Sequence, residues 1–273
     1  MNDQTRNGRT HLPFLRWAGS KRKLLPVLSQ YWSGQYTRYL EPFAGSACLF
    51  FHIAPKQALL GDLNSELIGT YREVKRSAED VIDALSSFHA GRGQYYRIRA
   101  LNPSLLSKSQ RAARFIYLNR NCFNGLYRTN SNGRFNVPYG GIRSGSLPTQ
   151  DALRDCSRLL KRATLYAGDF HSVLELAKEG DFVYLDPPYT VESRRVFKEY
   201  NPQTFGVSDL LRLRNWMNLL NKNNIAFLVS YADCREASYL QKGFRARLVR
   251  VQRSIAGFVG SRRHSREILI SNV

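Results

Sequence analysis

Residues 38–76, RYLEPFAGSACLFFHIAPKQALLGDLNSELIGTYREVKR, decide the fold. Residues 38–43 lead as a short strand into a glycine turn at FAGSA, and SACLFFHI follows as a buried helical segment. ALLGD (58–62) is a compact strand ending in Asp62, and NSELIGTYREVKR opens a helix with Asn64 or Ser65 near its cap. Strand, helix, strand, helix in this spacing is a βαβ-like unit, the beginning of a parallel α/β sheet.

Working outward, residues 20–32 predict a helix capped by Ser20, with Pro26 tolerated or bending it. The middle of the chain predicts helices in SAEDVIDALSSFHA, QYYRIRAL, SQRAARFIYLNRNCF and TQDALRDCSRLLKR. Between the last two lies NGLYRTNSNGRFNVPYGG (124–141), where Asn132-Gly133 is the strongest short hairpin signal in the chain. The last third returns to alternation. TLYAGD, FVYLDP, AFLVSY, ARLVRVQRS (246–254) and EILISN are strand candidates, with FHSVLELAKE and residues 208–222 as helices. The expected architecture is an α/β core of residues 1–66 and 164–273, interrupted by a mostly helical insert, 67–163, that carries a basic hairpin.

The 273 residues include 41 Lys and Arg against 21 Asp and Glu, a formal charge of +20. At 43% hydrophobic the chain has material for a core, and its positive excess favours a polyanion. Fifteen Tyr, 15 Phe and 3 Trp beside that charge suit base stacking. No apolar run approaches the roughly 18 residues of a membrane span, and MNDQTRNGRTHLPFLRW lacks a continuous secretory apolar stretch. Cys48, Cys122, Cys156 and Cys234 form no CxxC pair, so neither a zinc site nor a disulfide framework is expected, and no metal is. They read as buried thiols of a reducing cytoplasm.

The sharpest chemical element is Asp186-Pro187-Pro188-Tyr189, directly after the apolar FVYL. Two prolines cannot extend a strand, because they lack N–H donors and restrict the backbone. The turn therefore fixes a carboxylate, the Pro187 carbonyl and an aromatic ring at a strand's C-terminal end, where open α/β sheets bind ligands. Asp186 and the Pro187 carbonyl suit the two N–H bonds of an exocyclic amino group, with Tyr189 stacked on its flat base. A bare strand-to-loop turn is the alternative for the tetrapeptide alone. The turn at Gly45 lacks a full GxGxxG pattern, with Ala47 where a second glycine would stand. Asp62, about 20 residues past that turn in the manner of a ribose-binding acid, competes with a helix-capping role. Together they suggest a nucleoside-containing cofactor.

FLRWAGSK (14–21), EPFAGSA, GDLNSELI, FNGLYRTNSNGRFNVPYG and FVYLDPPY occur in that order. The ordered set resembles the DNA adenine methylase (Dam) family, α-group amino-methyltransferases that use S-adenosylmethionine. The resemblance runs from about 13 to 271 and implies a Rossmann-like methyltransferase core with an inserted target-recognition domain. It implies that Trp17 and Lys21 touch the methionine portion of S-adenosylmethionine, that Phe43 and Gly45 line its pocket, and that Asp62 holds the ribose. Asp169 and Phe170 resemble the adenine-binding pair of the cofactor site. Asp186 would serve cofactor and target base, and Tyr189 would stack on a flipped adenine.

The same resemblance implies double-stranded DNA as partner. Arg128 would contact guanine bidentately, Leu126 and Pro138 would touch neighbouring bases, Arg120 and Asn124 would hold phosphates, and Asn130 would be a further DNA-binding residue. Phe123 aligns with a residue that wedges into the gap left by the extruded base, Arg16 with one that reads the first guanine. Arg143 is expected on the same DNA-facing side. Gly141 and Ile142 depart from a basic and an aromatic residue in some relatives. The implied protein is a cytoplasmic, bacterial or phage-encoded monomer, with or without a companion restriction endonuclease. It methylates adenine within GATC or a longer site sharing a GAT start. Rival readings are a catalytically silent DNA-binding relative, against which Trp17, Lys21, Asp62 and Asp186 argue, and an enzyme acting on RNA or a protein amide.

Overall fold

In the computed structural model, which describes residues 11–189, 205–252 and 264–273, a seven-stranded sheet organises the chain. In chain order the elements are α1 (Leu25–Leu28), β1 (Tyr39–Glu41), α2 (Cys48–Ile53), β2 (Ala58–Asp62) and α3 (Ser65–Arg76). Next come α4 (Ala78–Ser86), α5 (Arg92–Ala100), α6 (Lys108–Asn121), α7 (Gln150–Leu160), β3 (Ala163–Ala167) and α8 (His171–Leu174). The chain ends with β4 (Phe182–Leu185), α9 (Val207–Lys222), β5 (Ala226–Ala232), α10 (Arg235–Leu240), β6 (Arg245–Gln252) and β7 (His264–Ser271). Arg253 and Ser254 of the expected strand, Arg262 and Arg263 beyond it, and the chain's first ten residues lie outside the described residues.

The strand order is β3-β2-β1-β4-β5-β7-β6, with β1 to β5 parallel and β7 antiparallel to both β5 and β6. From β1 the chain proceeds outward through β2 to β3, then returns to place β4 on the other side of β1. That reversal is the topological switch point, where the C-terminal ends of adjacent strands open a crevice. Arg38 grips the buried Asp181 through two bonds of 2.9 and 2.6 Å at the opposite end, fixing β1 against β4.

Alternation within the strands divides the core. Tyr39, Leu60, Phe182, Tyr184 and Leu228 enter one buried cluster; Leu40, Leu59, Val183, Leu185 and Val229 enter the other. Parallel strands covered on both faces are apolar at nearly every position, which is why FVYL and ALL carry so few polar residues. Each such side chain contributes about 1.5–3 kcal/mol by leaving water. Helices α8, α9 and α10 cover the second face. Helices α3 to α7, which connect β2 to β3, share one continuous core with the first face.

Local caps set these helices. Asn64 accepts from Leu67 N at 3.1 Å, Thr149 accepts from Ala152 N at 3.2 Å, and Ser107 and Gln110 cap α6 reciprocally. Two helix expectations need correction. Residues 20–32 are not one helix capped by Ser20: 3₁₀ turns at Arg22–Leu24 and Ser29–Tyr31 flank the single turn α1, because Pro26 fits only a helix's first turn. The helix expected over FHSVLELAKE stops after Leu174. Helix α10 had no counterpart in the sequence reading. The hairpin around Asn132-Gly133 forms, but with a Thr129–Phe135 bridge in place of full strands. Cys48, Cys122 and Cys156 are buried free thiols.

Candidate active site

The end of β4 delivers Asp186 to the switch point beside the turn that follows β1. Lys21 Nζ lies 2.7 Å from Asp186 Oδ1, and the Ser230 hydroxyl donates to the same oxygen at 3.0 Å. Ser230, on β5, also bonds the Tyr184 hydroxyl at 2.9 Å. Lys21 is buried, donates to Gly19 O at 3.0 Å and lies 3.9 Å from Glu267 Oε2 on β7. Its ammonium stands 5.2 Å from the centroid of the Tyr189 ring, which packs edge-on against Tyr231 at 5.1 Å.

Burial alone would push the Lys21 ammonium toward neutrality, but Asp186, Tyr189 and Glu267 outweigh it and hold Lys21 above the ordinary lysine range. Burial raises the Asp186 carboxyl, opposed by Lys21 and Ser230. Lys21 and Asp186 are in salt-bridge contact, and Lys21 is the first influence opposing burial at that carboxyl. Burial pushes the Tyr189 phenol up to about 12, so the ring stays neutral. Glu41, at the end of β1, is fully buried with the Tyr39 hydroxyl donating to it at 2.9 Å; burial drives its carboxyl well above the usual range.

The turn after β1 is tied from three directions. Asp62 Oδ2 accepts from Gly45 N at 2.9 Å and Oδ1 from Asn64 N at 2.9 Å, and the Tyr71 hydroxyl donates to Gly45 O at 2.6 Å. Gly45 has φ +47°, and a Cβ there would stand 2.8 Å from Trp17 Cδ1. Ala47, where a glycine was expected, adopts the left-handed region at φ 51°, a conformation that strains any residue with a Cβ. Phe43 stacks on Phe170 with centroids 5.1 Å apart, and Phe205 closes edge-on at 5.9 Å. Asp169, beside Phe170, accepts from His171 N and pairs with Arg212 of α9 at 2.6 Å. The ends of β1, β2 and β3 thus present two carboxylates, an aromatic wall and a main-chain turn. A carboxylate has room for more acceptor bonds than Asp62 uses, so this set fits a nucleoside with vicinal hydroxyls.

Basic residues of the segment between β2 and β3, together with Arg16, form two groups. Arg16 Nη1 donates to Arg143 O at 2.9 Å and Arg120 O at 3.4 Å, and Arg120 Nε donates to Ser146 O. Burial, then the neighbouring Arg16 and Arg22 cations, lower the Arg120 guanidinium below its ordinary value, as expected where like charges crowd. The Arg143 guanidinium lies 5.0 Å from the Phe123 ring, in a turn where Asn124 has φ 58°, and Ile142 is fully exposed beside it. The second group is the hairpin. Arg128 is exposed and donates to Asn136 Oδ1 at 2.8 Å, Asn130 Oδ1 accepts from Asn132 N and Arg134 N to close the tip, and Pro138 is exposed. The half-buried Leu126 packs on the core beside Tyr127, and Tyr127 stacks on Trp17 at 6.1 Å, joining hairpin to Gly45 turn.

Residues 17–255 match the model of the D12 class N6 adenine-specific DNA methyltransferases. The chain belongs to this family. It is 33% identical over 269 residues to the type II methyltransferase M1.LlaDCHI of Lactococcus lactis, covering 95% of each chain. It is 31% identical to the type II methyltransferase M.MjaIII of Methanocaldococcus jannaschii, covering 89% of this chain and 92% of that one. Against the DNA adenine methylase of Haemophilus influenzae the identity is 30%, with 90% and 88% covered. The sheet order and its switch point are those of a Rossmann-like methyltransferase core.

Within this methyltransferase the sequence pointed to Asp186, Tyr189 and the Gly45 turn, but not to Ser230, Glu267 or Tyr184. These sit in apolar strands, and only the sheet register brings them to Asp186. An isolated polar residue in such a strand (AFLVSYA, REILIS) was the available signal. Lys21 is placed directly on the Asp186 carboxylate. Among the described residues no group of three or more His, Cys, Asp or Glu is placed to hold a metal ion, and no helix is long and apolar enough to cross a membrane.

Proposed function

We propose that this methyltransferase moves a methyl group from S-adenosylmethionine to the exocyclic amino nitrogen of an adenine rotated out of duplex DNA, within GATC. The observation that carries the reading is the way Asp186 is held. Lys21 and Ser230 both bind Oδ1, so Oδ2 is the oxygen that can accept an amino N–H. The Pro187 carbonyl, next in the chain, accepts the second N–H, and Tyr189 stacks on the base. With both N–H bonds directed at acceptors, the nitrogen lone pair leaves ring conjugation and is aimed at the electrophile, a gain from positioning and fixed charge. Lys21 opposes the upward push of burial on the Asp186 carboxyl and so favours its acceptor form. Asp186 need not be a strong base, because the methylated nitrogen is acidic enough to lose its proton afterwards.

When bound, S-adenosylmethionine supplies an electrophilic methyl on a sulfonium. Asp62 would hold its ribose, Phe43 and Phe170 its adenine with Asp169 on the amino group, and Trp17 and Gly45 the turn beneath it. Adenine in a duplex is paired through the very amino group that must react, so it has to leave the stack. Phe123 would fill the gap, Arg128 would read guanine, Leu126 and Pro138 would touch adjacent bases, and Arg16, Arg120, Asn124, Asn130 and Arg143 would shape and hold the DNA-facing side. In this reading residues 67–163 are the target-recognition insert.

Sequencing of methylated adenines after duplex DNA is incubated with enzyme and S-adenosylmethionine tests this directly. The expected product is N6-methyladenine in GATC. Modification confined to a longer GAT-containing site would correct the specificity, and an absence of modified adenine would overturn the reading. Asp186→Asn should lose methylation while duplex binding persists.

A further inference from the structure

We propose that β6 is a second DNA-binding surface, which takes phosphates along its open edge independently of the recognition insert. The inference rests on the reading of the chain as a DNA methyltransferase. Strand β6 ends the sheet, paired only with β7 among the described residues. Arg245, Ala246, Arg247, Leu248 and Arg250 are all exposed, while the half-buried Val249 packs on the core and anchors the strand. Arg245 and Arg247 leave one face and Arg250 the other, and what they have in common is the edge. None of the three forms an ion pair among the described residues, and Arg250 stands directly opposite another arginine, Arg266. Like charges facing each other across a ladder are unfavourable, so an anion there would be stabilising. Arg266 is partly offset by Asp233 at 3.0 Å.

Position supports the same conclusion. Val249 is the register partner of Glu267, whose carboxylate lies 3.9 Å from Lys21 and so beside Asp186. β6 runs parallel to β4 toward the same catalytic edge, three strand spacings away, about 14 Å. That is comparable to the width of a DNA major groove, about 12 Å. A duplex seated over Asp186 therefore brings a phosphate strand within arginine reach. The main-chain N–H groups of an open edge are further donors to phosphate.

The competing explanation is that the charges only prevent edge-to-edge pairing, which matters with Leu248 half-exposed. Edge protection draws especially on lysine. Here residues 245–266 hold seven arginines, no lysine and no acidic residue. Arginine is the residue whose planar fork matches phosphate.

The test is the salt dependence of duplex binding by the full-length chain, measured by fluorescence anisotropy on duplexes with and without GATC. Arg247→Gln/Arg250→Gln should flatten the slope of log K against log salt by about 1.8, at about 0.9 per lost phosphate contact. The ratio of affinities for the two duplexes should stay unchanged, and Arg247→Lys/Arg250→Lys should restore most of the slope. An unchanged slope, or aggregation with an unchanged slope in the monomeric fraction, would overturn the second surface and leave edge protection. Failure of the wild-type chain to bind any duplex would instead defeat the functional reading itself.

Discussion

Lys21 Nζ is 2.7 Å from Asp186 Oδ1, in a contact that joins the N-terminal FLRWAGSK segment to the DPPY turn. Removing one partner of a buried pair strands the other. Lys21→Met should therefore lower stability toward the lower end of about 3–5 kcal/mol, since Asp186 retains 20% of its side-chain exposure. Lys21→Met/Asp186→Asn should recover much of that loss but no methylation. Urea unfolding beside methyl incorporation separates the two effects. Additive stability losses in the double variant would show that the pair is not coupled.

Ser230 bonds Asp186 Oδ1, so in the proposed reaction it would act through Asp186, as a positioning residue. Ser230→Ala deletes one hydrogen bond to Oδ1, about 1–1.5 kcal/mol, and should lower kcat roughly tenfold with KM for DNA little changed. Ser230→Thr should keep the hydroxyl and most of kcat. A change confined to KM would remove Ser230 from this role.

Arg128 is braced by Asn136 at 2.8 Å, so its aim depends on the hairpin's second arm. Arg128→Ala should relax sequence choice by about 1–3 kcal/mol at one base pair. Asn136→Ala should relax it less, because the guanidinium remains but is less constrained. Methylation rates on single-substituted duplexes report both, and unchanged preferences in Arg128→Ala would remove it from base readout.

Gly45 has no room for a side chain. Gly45→Ala places a Cβ 2.8 Å from Trp17 Cδ1 at φ +47°, where left-handed backbone alone costs about 1–2 kcal/mol. Displacement of Trp17 should weaken S-adenosylmethionine binding in calorimetry while duplex binding at low salt persists. Equal cofactor affinity in the variant would argue that the turn does not line that pocket.

Glu41 gives a pH prediction with a definite sign. Its folded carboxyl titrates well above the ordinary value of 4.5, because burial penalises the charge. Between those two values the native state holds a proton that the unfolded chain has lost, so stability falls as pH rises. Glu41→Gln removes that dependence. Its advantage in Tm should be small near pH 4.5 and grow toward pH 8, at about 2–4 °C per kcal/mol for a chain of this size. A Tm difference that is flat with pH would show that Glu41 is ionised in the native protein.

Composition and local pattern determined much of this protein. FVYL and ALL read as strands because they are short apolar runs, and DPPY must be a turn because prolines cannot continue a ladder. Caps at Asn64 and Thr149, and the Asn-Gly hairpin, are short-range chemistry that a sequence displays openly. Tertiary structure alone decided what surrounds Asp186. Ser230 and Glu267 reach the site from β5 and β7, and Lys21 from before β1, through strand order and register that are not encoded in any local window. It also decided that Trp17 bridges the Gly45 turn and Tyr127, and that β6 ends the sheet with its arginines exposed. Periodicity reports which residues leave water, whereas only packing reports which of them meet.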